Sequence, residues 1–405
     1  MYDVNDSIFY WMWLADAFGS GNNRIWEVLS HYDNDPIAAY NALRDGKSKY
    51  ITQSESKAIC NTFLESMFDL MDYCNMNNYK VISIDDERYP QRLKEIFNPP
   101  AILFCMGDPS FINNEVVLTV VGTRNPSDYS MKFAEKICNE LVDSGVVLAS
   151  GFALGIDSAA HRAALKANSR TVAVLGCGLN VDYPSKNAEI KKVIAVHGAV
   201  ITEFFPGTRP EGKNFPQRNR ILSGISLGTL VVEASQRSGA LITADFAMNQ
   251  GRDVFCVPPA DLFDRRYAGV IRLIREGAIP TFSHLDILFE YYENFSHKLI
   301  SVNPFSNYSA EDEFFNRHVV ERKVKEDEKK EIVAENNVSE ETVFDFSEYS
   351  EIQKAIITVL QNGGSLTPDE ISVLTGRDIS SVLSELTELE MNGDIIKNPG
   401  QRYSV

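Results

Sequence analysis

A chain of 405 residues is longer than one ordinary domain, so two or three are expected. Its 44% apolar content is that of a globular protein, and no apolar run approaches the ~18 residues that a membrane-spanning helix needs. The net charge of −17 argues at first against nucleic acid, but that charge is unevenly spread. Residues 1–115 hold 9 Lys/Arg against 17 Asp/Glu, residues 116–290 hold 19 against 17, and residues 311–350 hold 6 against 13. Only the middle is positive, and phosphate responds to local field rather than to the chain total.

The first residues, Met1-Tyr2-Asp3-Val4-Asn5-Asp6, lack the basic start of a secretion signal. The six cysteines form no Cys-x-x-Cys pair and have no histidine at metal-ligand spacing. They read as reduced, mostly buried residues of a cytoplasmic protein without a metal site.

Residues 7–75 carry apolar residues at helical spacing, broken at Gly19-Ser20-Gly21-Asn22-Asn23 and Asn34-Asp35-Pro36, which predicts a helical domain over 1–75. A bridging segment follows, with strands near 80–84 and 101–105. From 116 the pattern alternates. Apolar runs fall at 116–121, 146–149, 171–175, 199–202, 229–233 and 254–257. Helical stretches at 130–142, 158–166, 187–196, 221–226 and 241–249 separate them. This predicts an α/β fold: a doubly wound, Rossmann-like parallel sheet within 76–290, with its site at the carboxyl ends of the strands. Residues 291–348 read as an acidic flexible linker. Residues 349–405 predict a winged helix, with helices at 352–360, 367–375 and 378–391 and a closing hairpin. Its third helix holds Glu385, Glu388 and Glu390 and no Lys or Arg. A protein-contact or structural role is expected of it, rather than reading of a DNA groove.

The stretch Glu211-Gly212-Lys213-Asn214-Phe215-Pro216-Gln217-Arg218-Asn219-Arg220 packs three cations around an aromatic, just ahead of a helical run. Cations at a helix start oppose the helix dipole unless an anion lies between them. Arginines and helix amides can share a phosphate there, and Phe215 offers a face on which a base can stack. The alternative is that Phe215 is core and the arginines hold local carboxylates.

Gly122-Thr123-Arg124-Asn125-Pro126-Ser127 lacks the later glycines of a dinucleotide fingerprint and puts Arg124 where a pyrophosphate needs Gly. That argues against NAD or FAD. No P-loop exists either, so no cofactor is expected. Arg124, with Ser127 at the helix start, can instead hold a phosphate. Ser150-Gly151, Gly176-Cys177-Gly178 and Ser238-Gly239 follow other strands, where glycines either admit a ligand to the backbone or make tight turns. Asp157 and His161 are either a catalytic pair or a helix cap and a packed imidazole. Glu233 is either a general acid–base or a carboxylate orienting Arg218 or Arg220.

Together these motifs resemble the DNA-processing protein A family (DprA, also called Smf). The resemblance covers residues 80–282. It is carried by Val121-Gly122-Thr123-Arg124 with Pro126-Ser127, by Ser150-Gly151 with Gly155-Ile156-Asp157 and Ala160-His161, by Ala173-Val174-Leu175-Gly176 with Gly178-Leu179 and Tyr183-Pro184, and by Phe215-Pro216 with Arg218-Asn219-Arg220. Val231-Val232-Glu233-Ala234 with Ser238-Gly239, Leu241-Ile242-Thr243 and Ala247, and Gly251-Arg252, complete it. The head, of SAM or helix-hairpin-helix type, and the winged tail match more loosely. The resemblance implies a single-stranded-DNA-binding protein of natural transformation and recombination. Such proteins protect incoming strands, help load a RecA-type recombinase, are dimeric and are not enzymes.

Residues and resemblance together make Gly122, Arg124, Ser127, Ser150, Gly151, Lys213, Phe215, Arg218, Asn219, Arg220, Ser238 and Gly239 the expected DNA-binding set. Gly212 stands where the family usually has a cation, and Lys213 lies one residue closer to the Phe. A homodimer is expected through 267–290, where Ile271, Leu273, Ile274, Leu285, Ile287 and Leu288 supply apolar surface, unless these side chains only cover the sheet edge. The alternative function is a nucleotide-processing enzyme resembling the lysine-decarboxylase-like phosphoribohydrolases. Their Pro-Gly-Gly-x-Gly-Thr-x-x-Glu is met here only by Gly228-Thr229 and a Glu233 one residue too distant.

Overall fold

The computed structural model describes residues 3, 6–299, 349–363, 366–392, 394–398 and 402–404, so the expected linker lies outside the described residues from 300 to 348. The chain divides into two units, Met1–Glu313 and Phe314–Val405.

The first unit opens with α1 (Ser7–Phe18), α2 (Arg24–Leu29), α3 (Pro36–Leu43), α4 (Gln53–Asn61) and α5 (Glu65–Met76). Their starts follow from local chemistry. Asp6 accepts the Ile8 amide, Asp35 precedes a first-turn proline, and Thr52 with Glu55 forms a capping box. α1 is buried almost all round, from Phe9 through Leu14. Its tryptophans meet the need of buried indoles for a partner: Trp11 donates to Asp85 at 2.5 Å and Trp13 to the Thr62 carbonyl at 2.9 Å. One apolar cluster joins Phe9, Trp11 and Trp13 to Phe104, Phe152, Leu175 and Val200 of the sheet side. The helical head therefore shares its hydrophobic core with the following segment.

Nine strands form one sheet: β1 (Lys80–Ser83), β2 (Ile102–Gly107), β3 (Val117–Val121), β4 (Val147–Ser150), β5 (Thr171–Val174), β6 (Ala199–Thr202), β7 (Gly228–Val231), β8 (Asp253–Cys256) and β9 (Ile279–Pro280). The connecting helices are α6 (Gln91–Lys94), α7 (Asp128–Asp143), α8 (Ile156–Lys166), α9 (Ala188–His197), α10 (Asn214–Gly224), α11 (Gly239–Asn249) and α12 (Ala268–Arg275), and α13 (His284–Phe295) follows β9. The order is β1-β2-β6-β5-β4-β3-β7-β8-β9, parallel from β6 to β9. β3 is buried along its whole length, as a strand covered on both faces must be. The chain fills the sheet one way from β3 to β6 and then the other way from β7. The switch point lies between β3 and β7, where such sheets open a crevice.

Three features differ from the sequence expectation. β1 and β2 are not a bridge but an antiparallel extension of the same sheet beyond β6. α10 begins at Asn214 rather than 221, so Phe215 to Arg220 lie inside the helix. Pro216 is tolerated because a first-turn amide has no helical partner to lose. Of the apolar residues assigned to a dimer surface, Leu273, Ile287 and Leu288 are buried in the unit's own core, and Ile274 and Leu285 pack against it. These side chains cover the sheet edge.

The second unit comprises α14 (Glu351–Gly363), α15 (Pro368–Thr375) and α16 (Ile379–Asn392), with β10 (Ile396–Asn398) antiparallel to β11 (Arg402–Ser404). A core of Ile356, Ile357, Leu360, Ile371, Val382, Leu386, Leu389, Ile395 and Tyr403 holds it together. Three helices and a β-ribbon are the expected winged helix.

Candidate nucleic-acid interface

The loops that follow β3, β4 and β5 converge with the start of α10 around a solvent-open concavity. Arg124, Gly151, Phe152, Leu175, Tyr183, Phe215 and Arg218 are among its walls. The loops approach closely because Gly155, at φ +77°, carries no Cβ: one there would lie 2.5 Å from the Thr123 carbonyl oxygen.

Phe215 is half-buried and lies on Gly176, where an added Cβ would meet the ring at 3.0 Å. The exposed Arg124 guanidinium sits 5.8 Å from the Phe215 ring centroid. Tyr183 stands 5.6 Å from the same ring, at an interplanar angle of 42°. The mouth thus combines two aromatic faces with an exposed cation, a set that can stack a base and hold its phosphate. Tyr183 and Phe152 were not among the expected site residues. Tyr183 had a signal, an aromatic before a proline in the loop after a strand. Phe152 had none, and it takes φ +60° at the buried floor of the crevice.

The arginines of α10 behave differently. Arg218 is 6% exposed. Its Nη1 donates to the carbonyls of Gly151, at 2.5 Å, and Val174, and its Nε donates to Asn219 Oδ1 at 3.0 Å. Burial, with Arg124 nearby, pushes its pKa down to about 10, so it stays charged at neutral pH. Arg220 turns away from the crevice and donates to buried Glu203 at 2.6 Å. Glu203 Oε2 also accepts the Gly21 amide of the helical head at 3.0 Å. The carboxylate that holds Arg220 is therefore Glu203, not Glu233. Asn219 joins the two helices by donating to the Gly239 carbonyl at 3.3 Å.

Glu233 serves the start of α7. It accepts from Ser127 N at 3.0 Å and from Ser127 Oγ at 2.7 Å, and that hydroxyl also meets Tyr267 at 2.8 Å. Glu233 fills the place at this helix start where the sequence suggested a phosphate, because an internal carboxylate satisfies the same amide. Ser150 donates to the Val120 carbonyl at 2.7 Å, beneath the crevice. Gly122 packs on Ile156, and the space before Gly151 is taken by Arg218, so neither backbone is an open approach for ligand. Ser238 caps α11 by accepting the Ala240 amide, while Gly239 faces open space. Lys213 is exposed at the start of α10, with Nζ 2.9 Å from Glu211.

Asp157 and His161 are not a catalytic pair. Asp157 accepts the Ala153 amide at 3.1 Å, and burial raises its carboxyl pKa against the pull of Arg218. His161 Nδ1 lies 2.9 Å from Thr171 Oγ1, whose proton goes to the Leu148 carbonyl. Nδ1 must then carry the proton, and burial holds the imidazole neutral with a pKa near 3. Among the described residues no cluster of three His, Cys, Asp or Glu could hold a metal, and no helix is long and apolar enough to cross a membrane.

Residues 80–292 match the family described as DNA recombination-mediator protein A, and residues 347–401 match the DprA winged helix domain. The chain is similar to the DNA processing protein DprA of Bacillus subtilis (strain 168), at 41% identity over 212 residues, 52% of this chain and 71% of that one. It is also similar to DprA of Streptococcus pneumoniae (strain ATCC BAA-255 / R6), at 39% identity over 276 residues, 67% of this chain and 94% of that one. The X-ray structure of DNA processing protein A from Streptococcus pneumoniae matches with a TM-score of 0.62 at 32% identity, covering 70% of this chain and 97% of that one. The sheet and the crevice loops fall inside the first match and the three helices and β10 of the winged helix inside the second, and the chain belongs to the DNA recombination-mediator protein A (DprA/Smf) family.

Proposed function

We propose that this protein binds single-stranded DNA in the crevice at the carboxyl ends of β3, β4 and β5. Acting in the cytoplasm in natural transformation and recombination, it protects incoming strands and helps load a RecA-type recombinase. The observation that carries the proposal is the mouth of the crevice: Arg124 5.8 Å from the half-buried Phe215 ring, with Tyr183 beside it. A base can stack there only if its own face is free, and a duplex offers no free face. The positive balance of residues 116–290 adds a local field of the right sign.

The role is one of binding rather than catalysis. An acid–base function for Glu233 would need a free carboxylate, and this one is 1% exposed and held by Ser127. A homodimer belongs to the same proposal, now resting on the half-buried Ile271 of α12. A monomer mass by light scattering at micromolar concentration would remove it. The DNA proposal is tested by anisotropy of a labelled single strand against the blunt duplex of the same sequence at matched salt. Tighter binding of the single strand is expected, and equal or tighter binding of the duplex would refute it.

A further inference from the structure

The sheet order sets β3, β7 and β8 side by side. The segment that follows each of them carries an exposed arginine: Arg124, Arg237 and Arg265. None of the three has a carboxylate partner among the described residues. Beside Arg265 the loop 259–266 exposes Leu262 by 70% and Phe263 by 94%. An aromatic so fully in water, next to a free cation and two strands from β3, repeats the composition of the crevice mouth.

The loop is held in place from below. Tyr129 of α7 donates to the Pro258 carbonyl at 3.0 Å. The Gly269 amide donates to the Ala234 carbonyl, at 2.9 Å, which ties the start of α12 to the segment after β7. Tyr267 meets Ser127 at 2.8 Å. The loop's own acids are also engaged: Asp261 accepts the Phe263 amide at 2.8 Å, and Asp264 pairs with Arg266 at 2.6 Å. Neither acid is paired with Arg265. Neighbouring strands lie about 4.8 Å apart, so β8 is about 10 Å from β3, a gap that a few nucleotides of extended strand can cross.

We propose that the loop 259–266 is a second nucleotide-binding site, at which Phe263 stacks a base and Arg265 holds the adjacent phosphate of a strand leaving the crevice past Arg237. It rests on single-strand binding in the crevice and extends the path across the switch point. The site is non-specific, because stacking and phosphate contact read no base edge.

The test uses the full chain and labelled oligothymidylates of about 6 and about 20 nucleotides, a span set by the site sizes of single-strand-binding folds. Phe263→Ala is expected to weaken the long oligonucleotide about tenfold and to leave the short one unchanged, since the short one fills the crevice alone. Arg265→Gln is expected to lower the salt slope for the long one by about 0.7. Unchanged affinity for the long oligonucleotide in both variants, while Arg124→Ala still weakens it, overturns the second site but spares the crevice. Equal loss for both lengths also overturns it, because the loop would then only support the crevice. Unchanged DNA binding with a lost dimer would make the loop a contact between copies and overturn it as well. If the wild type binds neither length, or if Arg124→Ala changes nothing, the crevice itself is refuted and this extension falls with it.

Discussion

The mouth of the crevice and its floor carry the same kinds of residue and do opposite work. At the mouth, Arg124 is exposed over a half-buried Phe215, and Lys213 stands in water. At the floor, only a turn further along α10, Arg218 spends donors on strand-end carbonyls, and behind it Arg220, turned away from the crevice, gives its Nη2 to Glu203. A cation in water is available to an anion that arrives later, whereas a buried one has to be satisfied by the chain before any ligand comes. A cluster of cations in a sequence is therefore not one site. Burial divides it into a part that binds and a part that holds the binding part in place.

The largest expected effect lies behind the floor. Glu203→Ala strands Arg220 as a buried charge and also removes the acceptor of the Gly21 amide. Loss of one partner of a buried pair costs about 3–5 kcal/mol, read as a drop in unfolding free energy in urea. The double variant Glu203→Leu with Arg220→Met is expected to recover most of it. A single variant of wild-type stability would show that the pair does not hold the head to the core.

Acid should also strike the floor first. The folded pKa of His161 is near 3 and the unfolded value about 6.5, so below pH 6.5 the unfolded state binds the extra proton. Stability is then lost as pH falls, by about 2 kcal/mol between pH 6.5 and 5. His161→Gln is expected to flatten that part of the profile. An equally steep profile in the variant would assign the acid sensitivity elsewhere.

Effects at the mouth should be smaller and confined to binding. Arg124→Ala is expected to reduce the salt dependence of single-strand binding by about 0.7 in slope, one phosphate contact, with the unfolding midpoint unchanged. A wild-type slope would take Arg124 off the DNA path. Truncation after Lys298 should change least. Residues 299–405 hold 10 Lys/Arg against 21 Asp/Glu and supply no net attraction, so affinity should hold or tighten slightly at low salt. A tenfold loss would show that the winged helix contacts DNA.

The parallel core was legible because buried strands read as continuous apolar runs between helical crossovers, and the winged helix because its three periodic stretches end in a hairpin. β9, of two residues, is too short to carry a pattern. The pairing of β1 and β2 with β6 depends on contacts distant in sequence. The site was legible as a set of strand-end motifs, but not in its division. Arg218 and Arg220 differ from Arg124 only in burial, and nothing local separates Glu203 from Glu233 as the partner of Arg220. Phe152 enters the crevice through tertiary placement alone.

The most direct test of the division between mouth and floor is Phe215→Leu, measured for single-strand affinity and for unfolding free energy on one preparation. Leu keeps apolar contact with Gly176 but removes the flat face. The expected result is a loss of at least ~1 kcal/mol in binding with unfolding unchanged. Unaltered affinity, or a loss of stability that accounts for the loss of binding, would place Phe215 with the floor and contradict a stacking role at the mouth.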